Sequence, residues 1–302
     1  MDALLFVAAA LRISVPYTLA ALGATFSERA GVINIALEGI MLNGALGYVL
    51  GAHWTGNPWV GIAAAAAAGV ATAWVHAEAT IRFRADQITS GIGINLLAAG
   101  LTQVILLAVF HSSSNSTRVV GLPEWRLPGL AALPGLGPVL AAPLVLGTLL
   151  AVLFGQAALF RTVFGLRLRS IGERPEAAAA LGLSVRFHRY AGVLISGLLA
   201  GLGGAWLASE QHYFTDGMTG GRGYIAIAAM IVGKWTPLGA AGACLLFGAA
   251  EALQITLQGI HVPSEVLQML PYVVTMLALA GFIGRAVPPR SLGTPYDPER
   301  AA

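Results

Sequence analysis

"RTVFGLRLRSIGERPEAAAALGLSVRFHR", residues 161–189, decides how this chain is read. It carries six arginines, Arg161, Arg167, Arg169, Arg174, Arg186 and Arg189, of the 17 Lys+Arg residues in the whole sequence. Apolar runs long enough to span a bilayer flank it on both sides. Inside it, "GERPEAAAALG" has the signals of one short, stand-alone helix. Pro175 suits the first helical position, where its missing N–H has no intrahelical partner. Glu176 sets negative charge at the positive helix start, four alanines follow from Ala177, and Gly182 supplies a left-handed stop. A helix this short is marginal in water by itself. Placed between two spans, it reads as an element that docks on a partner.

Of 302 residues, 57% are hydrophobic and only 10% charged, against roughly 25% charged in a soluble domain. The mean hydropathy is +0.76. The apolar segments run near twenty residues and do not alternate with period two. The expected fold class is therefore all-α: a polytopic transmembrane helical bundle rather than a barrel, in contact with membrane lipid. A formal charge of +3 does not point to nucleic acid, because the basic residues cluster in a few loops. Cys244, the single cysteine, lies in an apolar segment, so disulfide frameworks and cysteine metal sites are excluded. No cleavable signal is expected, since Arg12 interrupts the first apolar stretch.

Spans are expected near 3–25, 34–52, 59–79, 88–110, 138–160, 190–208, 238–258 and 265–285, with a shorter one at 222–234. That makes eight or nine. If 161–189 is cytoplasmic, counting backwards puts Arg82 and Arg84 inside. Counting forwards puts Lys234, Arg285, Arg290 and Arg300 there too. The positive-inside rule then orients the chain N-terminus out and C-terminus in. Residues 1–286 form one transmembrane domain in this reading. Residues 287–302, with Pro288, Pro289, Pro295 and Pro298, are expected to be a disordered cytoplasmic tail.

No G-x-x-x-x-G-K-[ST] phosphate loop is present, so ATP hydrolysis by this chain in the usual way is excluded and it is not expected to be an enzyme. The six histidines lack metal-ligand spacing, and no metal or cofactor is expected. Polar residues within spans are the candidates for a pathway. Glu251 is the deepest, with Gln254 at i+3 and Gln258 at i+7 on its face. Asn95 and Gln103 share a face of 88–110. Asn34 and Glu38 open 34–52, and Glu38 can also serve as a helix-start acid or a snorkelling group. Gly44, Gly47 and Gly51, and the glycines of "GLLAGLGGAW" (197–206), suit close helix packing. Tyr48, Trp74, Trp206, Tyr224 and Trp235 could stack on a planar ligand or serve as core and interfacial residues.

Four passages together resemble the permease subunit of bacterial ABC importers of the branched-chain amino acid, simple sugar and nucleoside type. They are "FSERAGVINIALEGIMLNGA" (26–45), "RADQITSGIGINLLA" (84–98), "LRSIGERPEAAAALGLSV" (168–185) and "GRGYIAIAAMIVGKWTPLGA" (221–240). The likeness is greatest to the nucleoside (purine and uridine) branch. The resemblance implies a type II importer-like fold in the bacterial cytoplasmic (inner) membrane. It implies a coupling helix at Glu173, Arg174, Pro175, Glu176, Ala177, Ala178, Leu181 and Gly182 that fits a groove on a separate ATPase, which binds the ATP and Mg. It also implies a second permease, different or identical, and an extracytoplasmic substrate-binding lipoprotein. Ribose or a related simple sugar is the alternative cargo. Outside this class, the competing reading is an ion-coupled carrier with Glu251 as its proton site.

Overall fold

The computed structural model describes residues 3–125, 137–258, 269–277 and 287–297. The long elements are α1 (Ala3–Arg29), α2 (Leu37–Thr55), α3 (Pro58–Ala77, continued by a π-helical turn Glu78–Arg82) and α4 (Gln87–Phe110). After a short α5 (Gly137–Leu140) come α6 (Pro143–Arg161), α7 (Val163–Glu173), α8 (Pro175–Ala180) and α9 (Val185–Gln211). The chain continues with α10 (Arg222–Val232), α11 (Pro237–Leu257) and α12 (Leu270–Leu277). Among the described residues there is no β-strand, only an isolated bridge between Asn115 and Thr215.

The helix starts follow from local chemistry. Asn57 accepts from the Trp59 N–H ahead of α3, whose first residue is Pro58. Asp86, Thr162, Ser184 and Thr236 cap α4, α7, α9 and α11 in the same way. Each side-chain oxygen satisfies a backbone donor that the first turn leaves open. The Thr89 N–H and hydroxyl both donate to Asp86 and hold its exposed carboxyl below the usual range.

Six of the described helices are long and apolar enough to cross a membrane: α1, α3 with its π-helical turn, α4, α6, α9 and α11. Helix α2 has 19 residues but is diluted by Glu38, Asn43 and His53. It tolerates them because it lies inside the bundle, packed chiefly against α3, α9 and α4. Close approach there is made by glycine. A Cβ on Gly204 would lie 1.9 Å from the Met41 carbonyl oxygen, and one on Gly44 would lie 2.5 Å from that of Gly201. A Cβ on Gly69 would lie 2.3 Å from that of Gly197. The packing role expected for these glycines holds.

The helices run between two ends. At one end Arg29 donates to the Trp235 carbonyl at 2.8 Å, His76 meets the Ile33 carbonyl at 2.9 Å, and Ile33 N–H donates to Gln87 at 2.7 Å. At the other, Arg12 pairs with Glu210, Tyr48 donates to the Val120 carbonyl at 2.9 Å, and Phe214 N–H donates to Ser116 at 2.8 Å. The 161–189 arginines, Arg82, Arg84, Lys234 and Arg290 belong to the first, basic end.

Two expectations change at that end. The docking helix does not stand alone: Glu173 ends α7, Arg174 is the joint, and α8 is only six residues. Pro175 and Ala178 are buried, and Ala178 packs with Ile171, Val185 and Tyr296. The tail is not disordered across its described residues, 287–297. Ser291 is buried and donates from both N–H and Oγ to the Gly172 carbonyl, at 2.9 and 2.8 Å. Proline-rich composition suggested a solvated chain, but Tyr296 and Leu292 find apolar partners that a composition count does not reveal. Residues 298–302 and most of the span expected at 265–285 lie outside the described residues.

Candidate translocation site and docking helix

"DGMTGGRGY", residues 216–224, joins the Asn115–Thr215 bridge at the far end to α10. Gly220 and Gly221 both have positive φ, at 54° and 82°, and turn the chain into the helix. Helix α10 is 11 residues, about 16 Å at 1.5 Å per residue, roughly half the ~30 Å hydrocarbon thickness. It ends at the basic end, where Trp235 Nε1 donates to Glu28 at 2.6 Å. It therefore starts in the interior, next to Tyr17, which lies about 18 Å of helix before Arg29.

Four of the seven polar candidates converge on this segment, from three different helices. Gln103 of α4 donates to Asp216 at 2.8 Å. Asn95, two turns along α4, donates to Tyr224 Oη at 2.9 Å and the Ile35 carbonyl at 3.0 Å, and accepts from Gly39 N–H at 2.8 Å. Glu38 of α2 accepts from Gly221 N–H and Gly223 N–H, one on each oxygen, both at 2.7 Å. It is a helix-start acid, but for α10 as well as its own helix. Glu251 of α11 accepts from Arg222 Nη2 at 2.8 Å and from the Tyr17 hydroxyl at 2.5 Å. The Arg222 guanidinium also lies 5.8 Å from the centre of the Tyr17 ring.

These contacts give each interior polar group a partner, as low dielectric demands. At the α10 start, Arg222 N–H and Tyr224 N–H donate to the Thr219 and Gly221 carbonyls, and the Glu38 carboxylate takes the N–H groups of Gly221 and Gly223 that these turns leave open. Gly223 must be glycine for this to happen: a Cβ there would lie 2.5 Å from the Glu38 backbone nitrogen. Tyr224, Gln103 and Asp216 are exposed on the molecular surface beside the apolar outer face of α4. Polar groups at that level require another polar surface or a water-filled space opposite them.

The other candidates lie elsewhere, with Gln258 exposed at the end of α11. Asn34 precedes α2 rather than opening it, and its amide donates to Ser196 of α9 at 3.0 Å. Gln254 is half-buried on α11 and takes no part in the cluster. Of the five aromatic candidates, Tyr48, Trp206 and Trp235 are core, Trp74 faces outward on α3, and Tyr224 reaches the site. Sequence reading missed Tyr17, Asp216 and Arg222. The available signal was the glycine-rich run with a charge at each side, which marks a helix break inside an apolar region.

Helix α8 and the residue after it present Glu176, Ala177 and Leu181 outward, Leu181 at 83% exposure. Gly182 has φ +80°, the left-handed stop expected of it. A groove of about 390 Å³ runs beside α8, lined by Glu173, Arg174, Ala177, Leu181, Leu183 and Arg290 among others.

An all-helical bundle with a polar helix break inside it and six helices long and apolar enough to cross a membrane is the build of a membrane permease. The chain belongs to the branched-chain amino acid transport system / permease component family, which matches residues 6–279. It is 42% identical to the guanosine ABC transporter permease protein NupQ of Bacillus subtilis, covering 97% of this chain and 96% of that one. It is 40% identical to the nucleoside ABC transporter permease protein NupC of Lactococcus lactis, with the same coverage. A putative glucose ABC transporter permease protein, TsgC13 of Haloferax volcanii, is 37% identical over 80% of this chain and 74% of its own length. The protein is thus a multi-pass component of the cytoplasmic membrane, and permeases of this kind work with ATPase and substrate-binding partners.

Proposed function

We propose that this chain lines half of the translocation pathway of an ATP-driven nucleoside importer. The observation that carries the reading is its 42% and 40% identity, over nearly the whole chain, to the guanosine and nucleoside permeases. The pathway runs past residues 216–224, where Asn95, Gln103, Asp216 and Tyr224 offer amide, carboxylate and aromatic groups to a neutral, planar, hydroxyl-rich cargo. Glu38 and Glu251 act from behind this surface, holding the α10 start in place. Asn34 and Gln254 are left out of the pathway.

Residues 1–286 form the transmembrane domain, with nine passes if α2, the 216–232 segment and the 265–285 region each cross. The N-terminus is outside and the C-terminus inside, because the arginines of 161–189, Arg82, Arg84, Lys234 and Arg290 gather at one end. Helix α8 and its flanks, Glu173 to Gly182, receive movement from a cytoplasmic ATPase that binds ATP and Mg. A second permease completes the pathway and an external lipoprotein delivers the cargo. The chain has no catalytic role of its own.

The test is reconstitution with the ATPase and binding protein in proteoliposomes. Labelled guanosine should accumulate only with ATP inside the cytoplasmic compartment, and ribose should compete poorly. ATP-independent uptake driven by a proton gradient would refute the assignment. The glucose relative supports simple sugar as the second cargo, and ribose accumulation without guanosine uptake would select it. Nothing favours the ion-coupled reading: both Glu251 oxygens are engaged, one by Arg222 and one by Tyr17.

A further inference from the structure

Residues 287–297 touch α7, α8, α9, the α3–α4 turn and the α1–α2 connection at the basic end. Ser291 is bonded to the α7 terminus through Gly172, and its Oγ is also 3.2 Å from the Ile171 carbonyl. The Thr294 carbonyl accepts from Arg189 Nη1 of α9 at 3.1 Å. Arg189 is 1% exposed, and among the described residues this tail carbonyl accepts the hydrogen bond its guanidinium forms, while Nε and Nη2 are buried without one. Asp297 pairs with Arg84, in the turn between α3 and α4, at 3.0 Å. Tyr296 joins the apolar cluster of Ile171, Ala178 and Val185 that holds α8 against α7 and α9. Gly293, at φ +79°, brings the chain against Ile33 in the α1–α2 connection, where a Cβ would meet that side chain at 3.1 Å.

The result is a strap that ties the docking helix to the spans. It also reaches the docking surface itself, because exposed Arg290 lines the 390 Å³ groove beside α8. That groove has apolar walls from Ala177, Leu181 and Leu183. Its charged residues, Glu173, Arg174 and Arg290, carry one more positive than negative charge. Among the described residues Arg290 forms no ion pair.

We infer that the C-terminal segment completes the docking surface for the ATPase, with Arg290 beside α8 receiving an apolar side chain of the ATPase flanked by a carboxylate. The inference rests on the proposed function, since it needs an ATPase at α8. It adds that α8 alone is an incomplete site. A partner held by both α8 and the strap would move α7, α9 and the α3–α4 turn together, through Ser291, Thr294 and Asp297.

The experiment is capture of the ATPase by tagged permease in detergent, with affinity measured for wild type, Arg290→Glu and a chain ending at residue 286. Arg290→Glu changes an exposed side chain, so the permease should keep its melting temperature. Its ATPase affinity should fall about tenfold or more, as expected for reversing a charge within a docking patch. The shortened chain should lose capture. If wild type captures no ATPase, the proposed function fails and takes the inference with it. If wild type captures the ATPase and Arg290→Glu does so with unchanged affinity, the inference alone is overturned. Should the shortened chain fail to fold, the Arg290→Glu result decides.

Discussion

Replacing Glu38 by Gln tests whether one carboxylate holds the interior start of α10. Both oxygens are used, one by Gly221 N–H and one by Gly223 N–H, each at 2.7 Å. Glutamine keeps the shape but offers one acceptor, and its NH2 must face a backbone donor. One hydrogen bond to a charged group is lost and the other becomes neutral. A hydrogen bond to a charged group contributes about 1.5–3 kcal/mol net. Loss of about 2 kcal/mol shifts the local equilibrium for opening by about thirtyfold. The protein should not unfold, because Gln103, Asn95 and Glu251 still anchor the segment. Hydrogen exchange followed by mass spectrometry on peptides covering 216–224 reads the effect directly. Exchange there should speed up about thirtyfold while peptides from α1 and α9 stay protected. Wild-type exchange across 216–224 in a folded variant would refute the assigned role of Glu38.

Other substitutions probe separate parts of the same construction. Glu251→Gln leaves the Arg222 charge without its carboxylate and should destabilise by ~1–3 kcal/mol, less than the ~3–5 for a fully buried pair because both side chains are partly exposed. Pairing it with Arg222→Met should recover part of the loss in melting temperature; no recovery would show that the two do not interact. Gly204→Ala puts a Cβ 1.9 Å from the Met41 carbonyl oxygen and should cost ~1–3 kcal/mol or more by forcing α2 and α9 apart. An unchanged melting temperature would mean the helices do not cross there. Gly182→Leu, at φ +80°, should strain the α8 stop by ~1–2 kcal/mol and reduce cargo-stimulated ATP hydrolysis without preventing membrane insertion. Full stimulation would count against α8 as the coupling element.

Much of this protein was readable along the chain because bilayer thickness imposes a length on every apolar run. The glycines of 197–206 announced close packing before any partner was known. The polar candidates were found for the same reason: Glu38, Asn95, Gln103 and Glu251 are costly where they stand and stood out against their surroundings. Their shared destination was not legible. Periodicity places residues on faces of one helix, whereas the cluster at 216–224 is assembled from α2, α4 and α11. Arg222 was overlooked because it sits at the edge of a short apolar segment, where an arginine usually signals a loop at the membrane surface.

By itself, the sequence determined that the chain lies in a membrane, where most of its helices begin and end, and that one end is basic. Those properties depend on local hydropathy, capping and charge, which each residue carries with it. Only the tertiary structure decided that α10 starts in the interior, that Glu38 caps a helix other than its own, and that the tail packs against α7 and α8. These depend on contacts between residues far apart in the chain, such as Glu38 with Gly221 and Ser291 with Gly172, whose energies exist only once the bundle brings them together.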